Sequence, residues 1–218
     1  EDFEIMHSGE GINSIIKAIN EDSQGRIWFV TQNKGIYFID KENNFIFFQI
    51  KISQGNLTSL FIDKEDNMYI GSTLGLEIYN YYDGELMKIQ HVASLNNLSI
   101  TDICKFDNNT LFIATKYSGI YLLSEVDGVQ TAKKINSKIQ DIIIKEIDYF
   151  DDFLYVTTRK QGVMKFSYKD KKLNISENYN KNSGLITNYV NTFFIDRENQ
   201  IWIVTFGEGL ILKSNDYF

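Results

Sequence analysis

The feature that most constrains this 218-residue chain is an internal repeat. Five segments share one pattern: an apolar residue, an aromatic, two small or apolar residues, Thr or Ser, a short gap and Gly. They read Ile27-Trp28-Phe29-Val30-Thr31 with Gly35, Met68-Tyr69-Ile70-Gly71-Ser72 with Gly75, and Leu111-Phe112-Ile113-Ala114-Thr115 with Gly119. The last two are Leu154-Tyr155-Val156-Thr157-Thr158 with Gly162 and Ile201-Trp202-Ile203-Val204-Thr205 with Gly209. The aromatic positions 28, 69, 112, 155 and 202 are separated by 41, 43, 43 and 47 residues. Self-similarity at so steady a period marks an array of one supersecondary unit.

Each unit resolves into four short strands. The first carries apolar pairs: Ile16 and Ile19, Leu57 and Leu60, Ile100 and Ile103, Ile144 and Ile147, Val190 and Phe193. A polar turn follows, as in Asp22-Ser23-Gln24-Gly25, Asp63 to Asn67, Asp107-Asn108-Asn109, Asp151-Asp152 and Asp196 to Asn199. Such residues tolerate left-handed backbone and cap their own turns, which suits a tight hairpin. The aromatic segment is the second strand, Gly opens the third, and a less apolar fourth strand completes the unit. Four antiparallel strands per repeat of this length describe a propeller blade. A lone sheet of this kind has two apolar faces, so blades pack face to face around an axis. Helical solenoids would need long amphipathic runs at 3.6 spacing, and none is present.

The expected architecture is therefore an all-β propeller of five four-stranded blades. Its blades span approximately 12–53, 54–96, 97–139, 140–183 and 184–213, in one domain over 1–218. Phe3 and Ile5 alternate with polar residues, so an N-terminal strand at 2–7 would complete the last blade and close the ring. The alternative is a slice of a seven-bladed propeller.

Composition narrows the function classes. A net charge of -7 argues against a general nucleic-acid binder, which needs clustered Lys and Arg. One cysteine, Cys104, excludes an intrachain disulfide framework, and its inner-strand position reads as core. No segment approaches the length of an apolar membrane span, and Glu1 begins no signal-peptide pattern. The chain reads as a piece of a longer protein, with any membrane link supplied by flanking segments. Proline is absent, a fact for which we have no physical account.

The blade pattern, Asp at the end of an inner strand, a polar turn, an apolar-Trp strand ending in Thr, then Gly-Leu or Gly-Ile, resembles the two-component regulator propeller repeat. Ile195 through Thr205 with Gly209-Leu210 carries the resemblance best, followed by Glu21 through Ile36 and the lead-in Gly184-Leu185-Ile186-Thr187-Asn188. The third and fourth copies are degenerate. The resemblance implies a periplasmic or extracellular sensor domain of a membrane-spanning regulator, responsive to a small molecule or oligosaccharide. A kinase would lie elsewhere, and the residues themselves suggest no cofactor and no metal.

Ligands are expected where the loops from second to third strand converge with the connections into the next blade. These loops differ between copies while the strands around them do not, as befits a site grafted on a scaffold. Lys34, Tyr117, Arg159, Phe206 and Glu208 are the candidate ligand-binding residues: aromatics to stack on sugar faces, charged groups to take hydroxyls or a carboxylate. Trp28 and Trp202 share the position of Tyr69, Phe112 and Tyr155, which points to packing between blades. His7 and His91 fall on outer-strand or linker positions, unsuited to a triad or metal site. The turn aspartates Asp22, Asp63 and Asp196 read as turn caps. Glu208 has no matching acid in the other loops for glycosidase-type chemistry. The resulting expectation is a non-catalytic sensor, with a scaffold or homodimerisation module as the alternative and a propeller lyase or glycosidase behind it.

Overall fold

The computed structural model describes residues 14–33, 35–40, 45–48, 55–135, 139 and 142–213. These residues form five antiparallel sheets, the blades of a five-bladed β-propeller. Blade 1 contains β1 (Ile16–Glu21), β2 (Ile27–Thr31), β3 (Gly35–Ile39) and β4 (Phe45–Phe48). Blade 2 contains β5 (Leu57–Ile62), β6 (Asn67–Ser72), β7 (Gly75–Tyr82) and β8 (Glu85–His91). Blade 3 contains β9 (Ile100–Lys105), β10 (Thr110–Thr115), β11 (Gly119–Val126) and β12 (Val129–Lys134). Blade 4 contains β13 (Ile144–Phe150), β14 (Phe153–Thr158), β15 (Val163–Lys169) and β16 (Lys172–Tyr179). Blade 5 contains β17 (Val190–Ile195), β18 (Ile201–Thr205) and β19 (Leu210–Lys213), a three-stranded sheet among the described residues. The N-terminal strand expected at 2–7, together with His7 and Lys34, lies outside the described residues.

Inner strands β1, β5, β9, β13 and β17 succeed one another around the axis. Each carries a β-bulge at the same place, between Ile16 and Ala18, Leu57 and Ser59, Ile100 and Asp102, Ile144 and Glu146, and Val190 and Thr192. The bulge explains the three-residue spacing of the apolar pairs. A regular strand turns residues three apart to opposite faces, whereas one inserted residue restores them to the same face. Leu57 and Leu60, Ile100 and Ile103, Ile144 and Ile147, and Val190 and Phe193 are all buried accordingly.

Four apolar clusters bind the blades pairwise, each joining one blade's second and third strands to the next blade's first and second. Between blades 1 and 2, Trp28 packs on Phe38, Phe48 and Tyr81 with ring centroids 4.6, 6.1 and 5.3 Å apart. Its complete burial bears out the packing reading of the aromatic position. Cys104 is buried in the cluster of blades 3 and 4. The turn aspartates cap as expected: Asp22 Oδ1 accepts from the Gln24 and Arg26 amides at 2.9 and 3.0 Å, and Asp196 Oδ1 from Glu198 and Gln200, both at 2.9 Å.

Blades 2 and 3 are also joined at the rim. The Gln90 side chain donates to the Gln130 carbonyl at 2.6 Å and accepts from the Gln130 amide at 3.0 Å, as a neighbouring strand would.

Candidate functional site

Connections from second to third strand, and from each outer strand to the next inner strand, emerge at one end of the blades. Two backbone devices build that end. The Thr or Ser closing each second strand donates its hydroxyl to the Gly carbonyl that opens the third: Thr31 to Gly35 at 3.2 Å, Ser72 to Gly75 at 3.1 Å, Thr115 to Gly119 at 2.7 Å, Thr158 to Gly162 at 3.0 Å and Thr205 to Gly209 at 2.8 Å. The next amide along donates to the residue just before the inner strand. Gln32 bonds Ile15, Thr73 bonds Asn56, Lys116 bonds Ser99, Arg159 bonds Ile143 and Phe206 bonds Tyr189, at 2.8 to 3.0 Å. The loop backbone is thereby held from two sides. Gly162 shows how tight the stitching is. Its φ is +77°, and a Cβ there would stand 1.9 Å from the Tyr179 carbonyl oxygen.

Four of the five candidate ligand residues are carried by these loops, Tyr117 in blade 3, Arg159 in blade 4, and Phe206 and Glu208 in blade 5, and all four are exposed. Phe206 and Tyr117 are 74% and 58% exposed, which is unusual for aromatics in so buried a fold. The Lys116 ammonium lies 5.2 Å from the Tyr117 ring centre.

Sequence reasoning missed a group on the inner strands. Asp102 and Glu146 follow the bulges of β9 and β13 and reach into the succeeding blade. Asp102 Oδ2 accepts from the Ile147 amide at 2.9 Å, and Glu146 Oε2 from the Thr192 hydroxyl at 2.7 Å and the Phe193 amide at 3.3 Å. Burial pushes the Asp102 carboxyl up to about 7, opposed by the Ile147 and Ile103 amides and assisted by the nearby Glu146 and Asp148. Burial likewise raises Glu146 and Asp148. The extra residue of the fourth bulge, Lys145, donates to the Val190 carbonyl at 3.0 Å and Asn191 Oδ1 at 3.1 Å. Burial lowers its pKa, and the charge of Arg159 adds to the effect against the pull of Glu146. The signal for this group was available only in part. The bulge position aligns Ala18, Ser59, Asp102, Glu146 and Thr192 across the copies, but the acceptor role depends on the following blade.

At the opposite end, a cleft of about 880 Å³ opens between blades 2 and 3. Hairpin residues Asp63, Lys64, Glu65, Asp107 and Asn108 line it, with Gln130 at its side. No group of three or more His, Cys, Asp and Glu among the described residues is arranged to hold a metal ion. No helix among them is long and apolar enough to cross a membrane.

Comparison with known proteins places this geometry. No curated protein matches the chain. Among solved structures, it is similar to PorZ, a surface component of the type-IX secretion system of Porphyromonas gingivalis, at 17% identity and a TM-score of 0.73 over 94% of the chain. It is similar to the extracellular domain of BT4673, described as a one-component system of B. thetaiotaomicron, at 16% identity and a TM-score of 0.69 over 96%. It spans only 33% and 32% of those two chains. The gluconolactonase XC5397 of Xanthomonas campestris shares 12% identity with a TM-score of 0.65, over 91% of this chain and 71% of its own. These identities establish a common propeller fold and nothing finer. The two component regulator propeller model matches residues 9–33 and 184–207. Those two stretches fall at the start of the first blade and the start of the last, and they are what this chain shares with the two-component regulator propeller model.

Proposed function

We propose that this propeller is the non-catalytic, ligand-binding sensor part of a two-component signalling receptor, exposed on the periplasmic or extracellular side. The observation that carries the reading is the contrast at the loop end. Repeated hydrogen bonds anchor the loop backbones at equivalent points, while exposed Tyr117, Arg159, Phe206 and Glu208 differ from their counterparts in the other blades. The regulator repeat in the first and last blades supports the signalling role. An oligosaccharide suits the residue types, aromatic faces for the ring and charged groups for hydroxyls. The exposed Arg159 guanidinium would favour a ligand bearing a carboxylate.

Some proteins of this fold are enzymes, the gluconolactonase among them. The non-catalytic reading rests on how the chain uses its acids. Asp102 and Glu146 give lone pairs to backbone amides of the next blade, which positions them as struts between blades.

Titration calorimetry against neutral and uronic-acid oligosaccharides tests the proposal. Binding is expected to be lost in Arg159→Ala and Tyr117→Ala, with the fold intact by circular dichroism. Silence across the panel would remove the saccharide assignment and leave a protein-interaction scaffold.

A further inference from the structure

Neighbouring blade interfaces are finished differently at the hairpin end. Between blades 1 and 2, Tyr81 packs on Trp28 and Phe38, and the Arg26 guanidinium lies 4.7 Å from the Tyr81 ring centre and 5.6 Å from that of Phe38. Arg26 Nε donates to Asp22 Oδ2 at 2.5 Å, so this turn aspartate has a cation of its own. Between blades 3 and 4, Phe106, Phe112, Tyr149 and Tyr168 fill the corresponding space, with ring centroids 4.8 to 5.5 Å apart.

Strand register identifies the counterparts in blade 3. Tyr81 and Tyr168 each follow the third-strand residue paired with the first residue of the second strand, Asn80 with Asn67 and Ser167 with Phe153. In blade 3 that pair is Ser124 with Thr110, and the residue that follows is Glu125. On the inner strand, Ile62 and Tyr149 pair with Met68 and Leu154, and their counterpart, paired with Leu111, is Lys105. Two positions that carry aromatic or aliphatic side chains in blades 2 and 4 are therefore charged and exposed in blade 3. The cleft of about 880 Å³ between blades 2 and 3 lies where they leave the interface open.

The blade 2 side lacks a base as well. Asp63 Oδ2 accepts from Tyr69 where Asp22 accepts from Trp28, but its other donor is the Asn67 amide at 3.0 Å, in the place of Arg26. Four carboxylates line the cleft, Asp63, Glu65, Asp107 and Glu125, against the two ammonium groups of Lys64 and Lys105. Lys64 is paired with Glu65 at 3.3 Å, and among the described residues no ion pair engages Glu125. Burial, followed by the charges of Asp63, Glu65 and Glu125, holds the Tyr69 phenol above its ordinary range, as unbalanced negative charge does.

We propose that this cleft binds a ligand presenting a guanidinium group, with Glu125 as its counter-ion, in the role that Arg26 fills within the neighbouring interface. The template is the chain's own, since the same turn aspartate is matched by a guanidinium one blade earlier. A planar guanidinium can meet the Glu125 carboxylate with two parallel N–H donors. Asp63, whose oxygens already accept from Glu65, Asn67 and Tyr69, adds charge rather than a further bond. The volume suits a small ligand, whether a free guanidino compound or an arginine within a short peptide. The cleft lies at the other end of the blades from Tyr117, Arg159, Phe206 and Glu208, and its assignment does not rest on the sensor reading.

Amide NMR spectra of the 218-residue chain, titrated with N-acetyl-arginine amide, agmatine and N-acetyl-citrulline amide, test the proposal. Both guanidinium probes should shift amides of residues 63–67, 105–110 and 124–125, and the uncharged citrulline probe should bind at least about tenfold more weakly. The tighter guanidinium probe names the source, the blocked amino acid standing for a peptide and agmatine for a free compound. Glu125→Gln should weaken binding about tenfold at an unchanged melting temperature, because the side chain is exposed. Asn67→Arg should supply the missing guanidinium from within and abolish binding, with the circular dichroism spectrum intact. Equal binding of the citrulline probe, undiminished binding in either variant, or no shift at the cleft with either guanidinium probe would overturn the proposal.

Discussion

The Trp28 indole donates to Asp22 Oδ2 at 2.6 Å, tying the second strand of blade 1 to the hairpin six residues before it. Trp202 and Asp196 repeat the bond at 2.7 Å, and Tyr69 reaches Asp63 at 3.2 Å. One aspartate thus caps its turn with one oxygen and anchors the core aromatic with the other.

Asp22→Asn is expected to lower stability by about 1–3 kcal/mol at pH 7, because one oxygen cannot serve all these donors. Burial alone would raise the Asp22 carboxyl, but the bonds from Trp28, Arg26 and Gln24 outweigh it and hold it below the usual carboxylate range. A depressed pKa contributes stability above the unfolded value and loses it as pH falls through the folded one. The gap between the two proteins in urea unfolding should therefore narrow below about pH 4. An unchanged midpoint at pH 7 would remove the anchoring role.

Asp102 carries the opposite sign. Its carboxyl titrates near 7 when folded, above its unfolded value, so its contribution is full in acid and lost as pH rises through about 7. Melting temperature should climb between pH 8 and pH 5, by the equivalent of about 2 kcal/mol. Asp102→Asn should flatten that climb, leaving the smaller part due to Glu146 and Asp148, which are raised in the same direction. A slope identical in the variant would contradict the assignment.

Two glycines with nearly equal φ should respond differently to alanine. Gly162 and Gly209 have φ of +77° and +79°, but only at Gly162 would the Cβ strike backbone. Gly209→Ala is expected to cost about 1 kcal/mol from backbone strain alone, and Gly162→Ala about 3 kcal/mol or more. Equal denaturation midpoints would show that the loop of blade 4 yields.

At the loop end, Phe206→Ala and Tyr117→Ala should leave the melting temperature within about 1 °C of the parent, because both side chains are largely in solvent. A loss of several degrees would mean that these rings pack, and would weaken their nomination as ligand contacts.

The repeat was readable because Trp28, Tyr69, Phe112, Tyr155 and Trp202 recur with Thr or Ser and Gly at a fixed offset, and each of those types has a local mechanical job. The apolar pairs such as Ile100 and Ile103 were readable as pairs, yet their spacing made sense only once the bulge appeared. Asp22 was legible as a turn cap from its neighbours alone. Its bond to Trp28 was not, because that bond depends on the register of the hairpin. Asp102 and Glu146 were least legible of all. Their partners, Ile147 and Phe193, lie 45 and 47 residues onward, and adjacency of blades rather than adjacency in sequence brings them together. Tyr117, Arg159, Phe206 and Glu208 lie on the loops read from the sequence, but chemistry that varies from copy to copy has no internal template.

The Gln90 bracket on Gln130 has a mechanical meaning for the cleft beneath it. Blades 2 and 3 are pinned at the hub by their inner strands and tied at the periphery by this amide and by the Ser94 hydroxyl, which accepts from the Ala132 amide at 2.9 Å, and these ties oppose fanning apart about the axis. The wedge of space between them keeps a set width. A guest entering from the hairpin side must match that gap as it stands, since prying it wider would break two hydrogen bonds to the main chain before gaining any contact of its own.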